Sequence, residues 1–184
     1  MKARLLLPIV VLLMTSCVAQ AQNDLPVTVT KRLYKINFFT LGLEFEQALG
    51  KSSTFNINPN ISFGLDYHNE RDYNAYLWPS LELQTRGYYN LNKRSKAGKN
   101  VSDNSGNFIA LSIYGNTPSL IEHEESGNEA SYGVGPVWGM QRNFNSGLNL
   151  TVTAGAGYGK DKFGDEGLTP LLRLNLGFLL GRGR

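Results

Sequence analysis

The sequence contains few cysteines, few charges and no long apolar run beyond its N-terminus. Of its 184 residues, 18% are charged and one is a cysteine, Cys17. No later stretch approaches the ~18 consecutive apolar residues that indicate a membrane-spanning helix. The formal charge of +3, from 18 basic and 15 acidic residues, falls to +1 without Lys2 and Arg4. This balance gives no support for nucleic-acid binding, and a chain exported without Cys17 would have no thiol, disulfide or cysteine metal site.

The N-terminal residues have the organisation of an export signal. Lys2 and Arg4 supply a positive end, residues 5–14 are apolar, and Ala19-Gln20-Ala21 forms a small-x-small cleavage pattern. The apolar stretch is too short to span a bilayer as a helix, which takes ~20 residues. Thr15-Ser16-Cys17 leaves a second route open, in which the chain is cleaved before the cysteine and the thiol is acylated. Either route sends the chain out of the cytoplasm.

We expect three parts in the chain. Residues 1–21 are predicted to be the signal peptide, residues 22–33 an N-terminal segment or short first strand, and residues 34–184 the β-barrel domain. No linker-like proline or serine tract divides the last part, so we interpret it as one domain.

The sequence after the leader alternates between apolar and polar residues. The clearest run is 54–68, where Phe55, Ile57 and their odd-numbered companions are apolar, while Asn56, Asn58 and the other even-numbered residues are polar or small. A period of two predicts a strand with one apolar and one polar face. Further strands are predicted at 39–46, 75–88, 131–141, 148–159 and 168–179, and a shorter one of open facing at 107–115.

These segments predict an all-β fold, namely an antiparallel up-and-down transmembrane β-barrel of about eight strands. Seven strands are counted directly, whereas a bacterial barrel normally has an even number, with eight as the smallest. The eighth strand is expected either from Val27–Arg32 or from a break inside the long run at 54–68. Pro59, Pro79, Pro136 and Pro170 fall inside proposed strands, where the missing N–H removes a ladder bond, so we predict local bulges near several of them.

Alternation alone fits two kinds of barrel, because a soluble lipocalin-like barrel carries its apolar side inward. The polar rows here are mostly Asn, Ser, Thr and Gly, whereas a water-facing surface usually carries ~25–35% charged residues. Small polar side chains suit the lumen of a narrow barrel, and Leu, Ile, Val, Phe and Tyr suit a lipid-facing belt. The pattern favours a lipid-facing exterior. The alternative is a soluble or lipid-anchored periplasmic barrel that carries an apolar ligand.

Three pieces of the sequence carry a resemblance to a known class of protein. They are Leu81-Glu82-Leu83-Gln84-Thr85-Arg86-Gly87-Tyr88-Tyr89-Asn90, Asn92-Lys93-Arg94 and Ser105-Gly106-Asn107-Phe108. With the leader and the alternating strands, they resemble small outer-membrane β-barrel proteins of Gram-negative bacteria, of a largely uncharacterised type. The resemblance covers most of the chain from about Tyr34 onward. It implies insertion into the outer membrane, outer-membrane lipids and the assembly machinery as partners, and no established catalytic activity.

Charged residues on the polar rows form the first candidate site. Glu44, Glu46, Glu82, Arg86 and Arg173 belong to three different predicted strands and are expected to converge in the lumen. We expect ion pairs among them, because buried charges persist only when paired. A gate is the sharper hypothesis, in which Arg86 or Arg173 exchanges carboxylate partners and opens a narrow path. Because an eight-stranded barrel is filled by its own side chains, we predict a plugged polar interior and no catalysis.

An acidic loop forms the second candidate site, with Glu122, His123, Glu124, Glu125 and Glu129. Counting back from a last strand that ends in the periplasm places this loop outside, where it would contact an unknown extracellular or envelope partner. The same count places the basic loop at Leu91 to Gly106 on the periplasmic side. The acidic loop begins like a zinc-binding H-E-x-x-H motif, but residue 127 is glycine, so neither a metal nor a cofactor is expected.

Overall fold

The computed structural model describes residues 27–69, 72–121, 129–161 and 163–183, with side chains described throughout except at 64–69 and 72–75. The strands are β1 (Arg32–Asn37), β2 (Leu41–Ala48), β3 (Ser53–Asn69), β4 (Asp72–Tyr88), β5 (Asn107–Asn116), β6 (Ser131–Asn143), β7 (Leu148–Lys160) and β8 (Glu166–Gly183). Each pairs antiparallel with the next, and β8 pairs with β1 to close the ring. The predicted all-β antiparallel barrel of about eight strands is confirmed.

In each strand one row of side chains faces the interior and the alternate row faces outward. The inward row is mostly polar: in β3, for example, Asn56 is fully buried. The outward row is mostly apolar, and Leu172 of β8 is 74% exposed. In β5, whose facing the sequence left open, Phe108 and Ser112 are buried while Leu111 is 45% exposed. The described interior is therefore polar and the exterior apolar.

β1 is the strand that the sequence left unplaced. It runs from Arg32 to Asn37 and shares only Arg32 with the Val27–Arg32 segment proposed for it, and β3 continues unbroken from Ser53 to Asn69. Neither proposed origin of the eighth strand is right. β1 begins inside the range 22–33, for which the sequence predicts an N-terminal segment or a short first strand. With only 6 residues, β1 is too short for its alternation to stand out in the sequence.

The four strand prolines have no register shift beside them, so the predicted bulges are wrong. Pro59 is in register with β4 and Pro136 is in register with β5. On their other sides, the β2–β3 pairing skips Pro59 and the β6–β7 pairing skips Pro136. Pro79 of β4 lies outside the part of β4 that pairs with β5. Pro170 of β8 lies outside the part of β8 that pairs with β1. A proline is accommodated at these positions because each strand residue directs its N–H to one neighbour only.

Inward-facing glycines allow the barrel to close around large side chains. Phe108 of β5 is fully buried, and its ring occupies the space that a side chain at Gly139 of β6 would need. Gly155 and Gly157 of β7 lie directly against the backbone of β6, where a Cβ atom would not fit. The glycines on the polar rows thus make room inside a narrow barrel.

Candidate functional site

Four charged side chains are buried together in the barrel interior, and we call them the four-charge cluster. Lys35 Nζ lies 3.0 Å from Glu44 Oε1 and 3.1 Å from Glu46 Oε2. Arg86 Nη1 lies 3.2 Å from Glu44 Oε1 and 3.6 Å from Glu46 Oε2. The side chains of Lys35, Glu44 and Glu46 are 0% exposed and that of Arg86 is 2% exposed. Two cations face two carboxylates, so the cluster is neutral and its charges compensate one another.

The strand register brings these four side chains together. Lys35 of β1 is the partner of Glu44 in the β1–β2 ladder, and Glu46 follows on the same face of β2. Arg86 comes from β4, which is separated from β2 by β3, so its side chain reaches past β3 inside the barrel. The Arg86 guanidinium lies 4.8 Å from the centre of the Phe108 ring, which is a cation–π contact. Residues far apart in the sequence are therefore held in one place by the sheet.

Neutral side chains also donate hydrogen bonds to the two buried carboxylates. Glu46 Oε1 accepts hydrogen bonds from Thr54 Oγ1 and Tyr88 Oη, each at 2.8 Å. Glu44 Oε1 accepts one from Asn56 Nδ2 at 2.7 Å. Such bonds offset part of the cost of removing the carboxylates from water. The buried charges are held in place by hydrogen bonds as well as by ion pairs.

A second ion pair joins Arg173 of β8 to Glu82 of β4. Arg173 Nε lies 2.8 Å from Glu82 Oε2, and Ser112 Oγ donates to Glu82 Oε1 at 2.7 Å. Gln84 connects this pair to the four-charge cluster, because its Nε2 donates to Glu82 Oε1 at 2.9 Å and its Oε1 accepts from Arg86 Nε at 2.7 Å. One continuous polar network therefore links β1, β2, β4 and β8 through the interior.

A small cavity lies beside the Glu82–Arg173 pair. It has a volume of ≈ 200 Å³, and the residues around it include Ser62, Tyr114 and Thr153. Ligand pockets usually measure ~300–1,000 Å³, so this cavity is smaller than a site for a drug-sized molecule. Its polar lining suits ordered water.

The connection between β4 and β5 closes one end of the barrel. It contains a short helix, α1 (Leu91–Lys96), and a 3₁₀ turn at Ser102–Asn104. Asp103 and Asn104 have φ values of 54° and 62°, a left-handed conformation that Asp and Asn tolerate better than most residues. Asn104 Nδ2 donates to Glu46 Oε1 at 3.0 Å, which ties the turn to the four-charge cluster. We call the β4–β5 connection, residues 89–106, the plug.

Further contacts fix the plug to the barrel wall and to the segment before β1. The backbone oxygen of Asp103 accepts hydrogen bonds from Gln141 Nε2 at 3.1 Å and from Asn143 Nδ2 at 2.5 Å. The Asp103 carboxylate lies 2.6 Å from Arg182 Nη2 of β8. Asn104 Oδ1 accepts from the backbone N–H of Thr30 at 2.7 Å. The plug is thus bonded on several sides to the end of the barrel.

The residues predicted to converge in the lumen all take part in this network, but two of its parts were missed. Lys35 was missed because β1 was not recognised as a strand; pairing β1 with β2 would have placed it opposite Glu44. The plug was missed because its contacts are long-range and its sequence was interpreted as a basic loop. The Ser102-Asp103-Asn104 sequence offered one local signal, since Asp and Asn favour left-handed turn positions.

Most of the second candidate site lies outside the described residues, namely Glu122, His123, Glu124 and Glu125. Glu129 is described, and its exposed carboxylate lies 2.5 Å from Lys160 Nζ at the end of β7. Within the described ranges, no group of three or more His, Cys, Asp or Glu residues could hold a metal ion. No helix in the same ranges is long and apolar enough to cross a membrane.

Comparisons with protein-family models, with curated proteins and with solved structures find no match to this chain.

Proposed function

We propose that this protein is an integral outer-membrane β-barrel that has a plugged polar interior, a structural or surface-interaction role and no catalytic activity. The observation that carries the proposal is the apolar exterior of the closed sheet. Exposed aliphatic and aromatic residues occur on successive outward rows, including Leu43 at 57%, Phe63 at 57%, Ile113 at 48%, Val134 at 42% and Leu172 at 74%. A lipid-facing barrel needs such an outward apolar band.

Six of the eight strands are long enough to cross a bilayer, whereas β1 and β2 have 6 and 8 residues. β3 and β4 have 17 residues each, β6 and β7 have 13 each and β8 has 18. A tilted transmembrane strand needs ~9–11 residues. Ring closure supports the same proposal, because a closed barrel leaves no sheet edge unpaired in hydrocarbon.

The alternative of a lipocalin-like carrier is less well supported. A carrier of an apolar ligand needs an apolar interior, whereas buried ion pairs occupy the interior here. The cavity of ≈ 200 Å³ is also lined in part by Glu82 and Arg173. The apolar surface that needs a partner is on the outside, and lipid is the partner that can cover all sides of a barrel at once.

A closed interior favours a role that depends on surfaces rather than on transport or chemistry. The end opposite the plug is where β5 is connected to β6 and where β7 is connected to β8. These connections would face the cell exterior and contact an envelope or extracellular partner. Export of the precursor from the cytoplasm, signal cleavage after residue 21 and insertion by the outer-membrane assembly machinery belong to the same proposal.

Membrane fractionation tests the proposal directly. The protein should stay with the outer membrane in buffer and in carbonate, dissolve only in detergent, and migrate differently on gels before and after heating. A protein that carbonate or buffer releases would fit the carrier instead. Signal cleavage is checked by the mass of the mature N-terminus, which also separates cleavage after Ala21 from acylation at Cys17.

A further inference from the structure

We propose that the plugged end of the barrel binds the phosphate groups of anionic glycerophospholipids in the membrane leaflet that surrounds it. This inference rests on the proposed membrane location and adds a lipid class and a binding surface to it.

The charge exposed at the plugged end is almost entirely positive. Three separate segments contribute: the residues before β1, the β2–β3 turn and the plug. The ends of β6 and β8 add to them. Among the described residues, Asp103 is the one acidic side chain of this end outside the lumen, and Arg182 pairs with it. The basic residues are Lys31, Arg32, Lys51, Lys93, Arg94, Lys96, Lys99, Arg142 and Arg182.

Four of these lysines have no structural task that uses their charge. Lys31, Lys51, Lys93 and Lys99 are exposed, and within the described part of the chain none of them forms an ion pair. By contrast, the Arg94 side chain donates hydrogen bonds to the backbone oxygens of Ser105 and Asn100 within the plug. The four ammonium groups are therefore available to an external anion.

The opposite end of the barrel has the reverse balance. Its described acidic residues include Glu129, Asp161 and Asp165 in the connections and Glu166 at the start of β8. Lys160 lies among them and pairs with Glu129 at 2.5 Å. Among the residues that the structure describes, the exposed cations are thus concentrated on one side of the apolar band, which gives the barrel a direction with respect to an anionic surface.

Aromatic residues mark the boundary between the apolar band and the cationic end. Trp138 Nε1 donates to Tyr89 Oη at 2.8 Å, and the two side chains are 42% and 55% exposed. Tyr34 and Phe144 are 45% and 50% exposed near the same end. Trp and Tyr favour the level of lipid headgroups. The lysines that lie just beyond these rings are at the height where lipid phosphates lie.

A lipid surface fits this arrangement better than a compact acidic partner. The lysines are distributed over three segments around the barrel rim, directly beside the apolar rows, so a surrounding leaflet contacts all of them together. Each lysine near an anionic membrane contributes ~1 kcal/mol, or about fivefold in affinity. Several lysines together should produce a clear preference for anionic over zwitterionic lipid.

Quenching of Trp138 fluorescence by bromine-labelled lipid tests the inference. The full-length mature protein would carry Trp78→Phe, so that Trp138 is the reporter, and would be refolded into vesicles of phosphatidylcholine mixed with phosphatidylglycerol. The bromine label would be placed on one lipid or the other. We expect stronger quenching by labelled phosphatidylglycerol, and a loss of this preference when sodium chloride is raised.

Two charge variants make the test specific. Replacing Lys31, Lys51, Lys93 and Lys99 by Gln should reduce the preference for phosphatidylglycerol at least tenfold, because about fivefold is expected from each lysine. Replacing the same four residues by Arg keeps the charge and should keep the preference. Heat-modifiable migration of both variants shows whether each one has folded.

The outcomes separate this inference from the proposed function. No quenching by either labelled lipid would contradict membrane insertion itself. Equal quenching by the two lipids, or an undiminished preference in the folded Gln variant, would overturn the lipid-binding inference alone. Loss of the preference in inorganic phosphate but not in sodium chloride of equal ionic strength would identify a site for free phosphate and overturn the lipid assignment.

Discussion

Arg86 of β4 reaches past β3 to Glu44 of β2, and its Nη1 atom lies 3.2 Å from Glu44 Oε1. Lys35 Nζ contacts the same oxygen at 3.0 Å. Because both cations contact this oxygen, the four-charge cluster connects strands that are not neighbours in the sheet.

Removing one partner of the cluster should be far more damaging than removing an exposed pair. Arg86→Met leaves the Glu44 and Glu46 carboxylates with Lys35 as their only cation in the cluster. We expect a loss of ~3–5 kcal/mol in the free energy of unfolding, because an uncompensated buried charge remains. Urea unfolding in vesicles, followed by tryptophan fluorescence, measures this loss.

Glu129→Gln is the matched control, since it breaks the exposed pair with Lys160. It should cost less than ~1 kcal/mol. An Arg86→Met variant as stable as this control would show that the contact between β4 and β2 does not support the barrel.

Gly139 should be indispensable where it faces Phe108. Gly139→Val forces the Phe108 ring to move and should destabilise the barrel by ~1–3 kcal/mol through overpacking. Adding Phe108→Ala removes the clash and should restore part of the lost stability. Gly115→Val in β5 has nothing within 4 Å of its new Cβ and serves as the control. Equal effects of the two valine substitutions would contradict the close packing.

The hydrogen bond from Asn104 of the plug to Glu46 of the four-charge cluster should be sensitive to charge. Asn104→Asp keeps a residue that tolerates a positive φ but places a carboxylate beside Glu46 Oε1, the acceptor of the Asn104 hydrogen bond. We expect the barrel to lose ~1–3 kcal/mol or more, since a donor is removed from a charged partner and a like charge is added. Asn145→Asp, at an exposed position of the same end, should have little effect. Unfolding by urea compares the two.

Several parts of the fold could be predicted from local sequence. β3 could be predicted because 15 or more residues alternate between Phe, Ile and Leu on one row and Asn and Ser on the other, within a strand of 17 residues. The inward glutamates and Arg86 could be assigned to the lumen for the same reason. Their partners could not, because strand pairing and barrel tilt decide which residues meet across the lumen.

Other parts depend on contacts that no local pattern contains. The prediction of bulges at the prolines was wrong, because whether a strand accommodates a proline depends on where the pairing with its neighbouring strands ends. The position of Lys35 depends on a strand of 6 residues. The plug depends on hydrogen bonds such as Asn104 to Glu46, which lie 58 residues apart in the sequence. Residue types alone could not identify these partners.

A charge on the outward row should distinguish lipid from water outside the barrel. Leu111 lies on the outward row of β5 and is 45% exposed. Leu111→Lys should cost ~2–4 kcal/mol if hydrocarbon surrounds this position, and almost nothing in water. Leu168→Lys, close to the β7–β8 connection, should cost less because the penalty falls toward the membrane interface. Unfolding free energies in vesicles give both values.

The most direct measurement uses the absence of cysteine after Cys17. A single cysteine at Leu111, labelled with an environment-sensitive fluorophore in the mature protein, reports what surrounds the exterior in native-like vesicles. A lipid-facing exterior predicts blue-shifted emission that a spin label on the lipid acyl chains quenches strongly. Emission characteristic of water, with quenching by aqueous iodide rather than by the lipid spin label, would contradict a lipid-facing exterior.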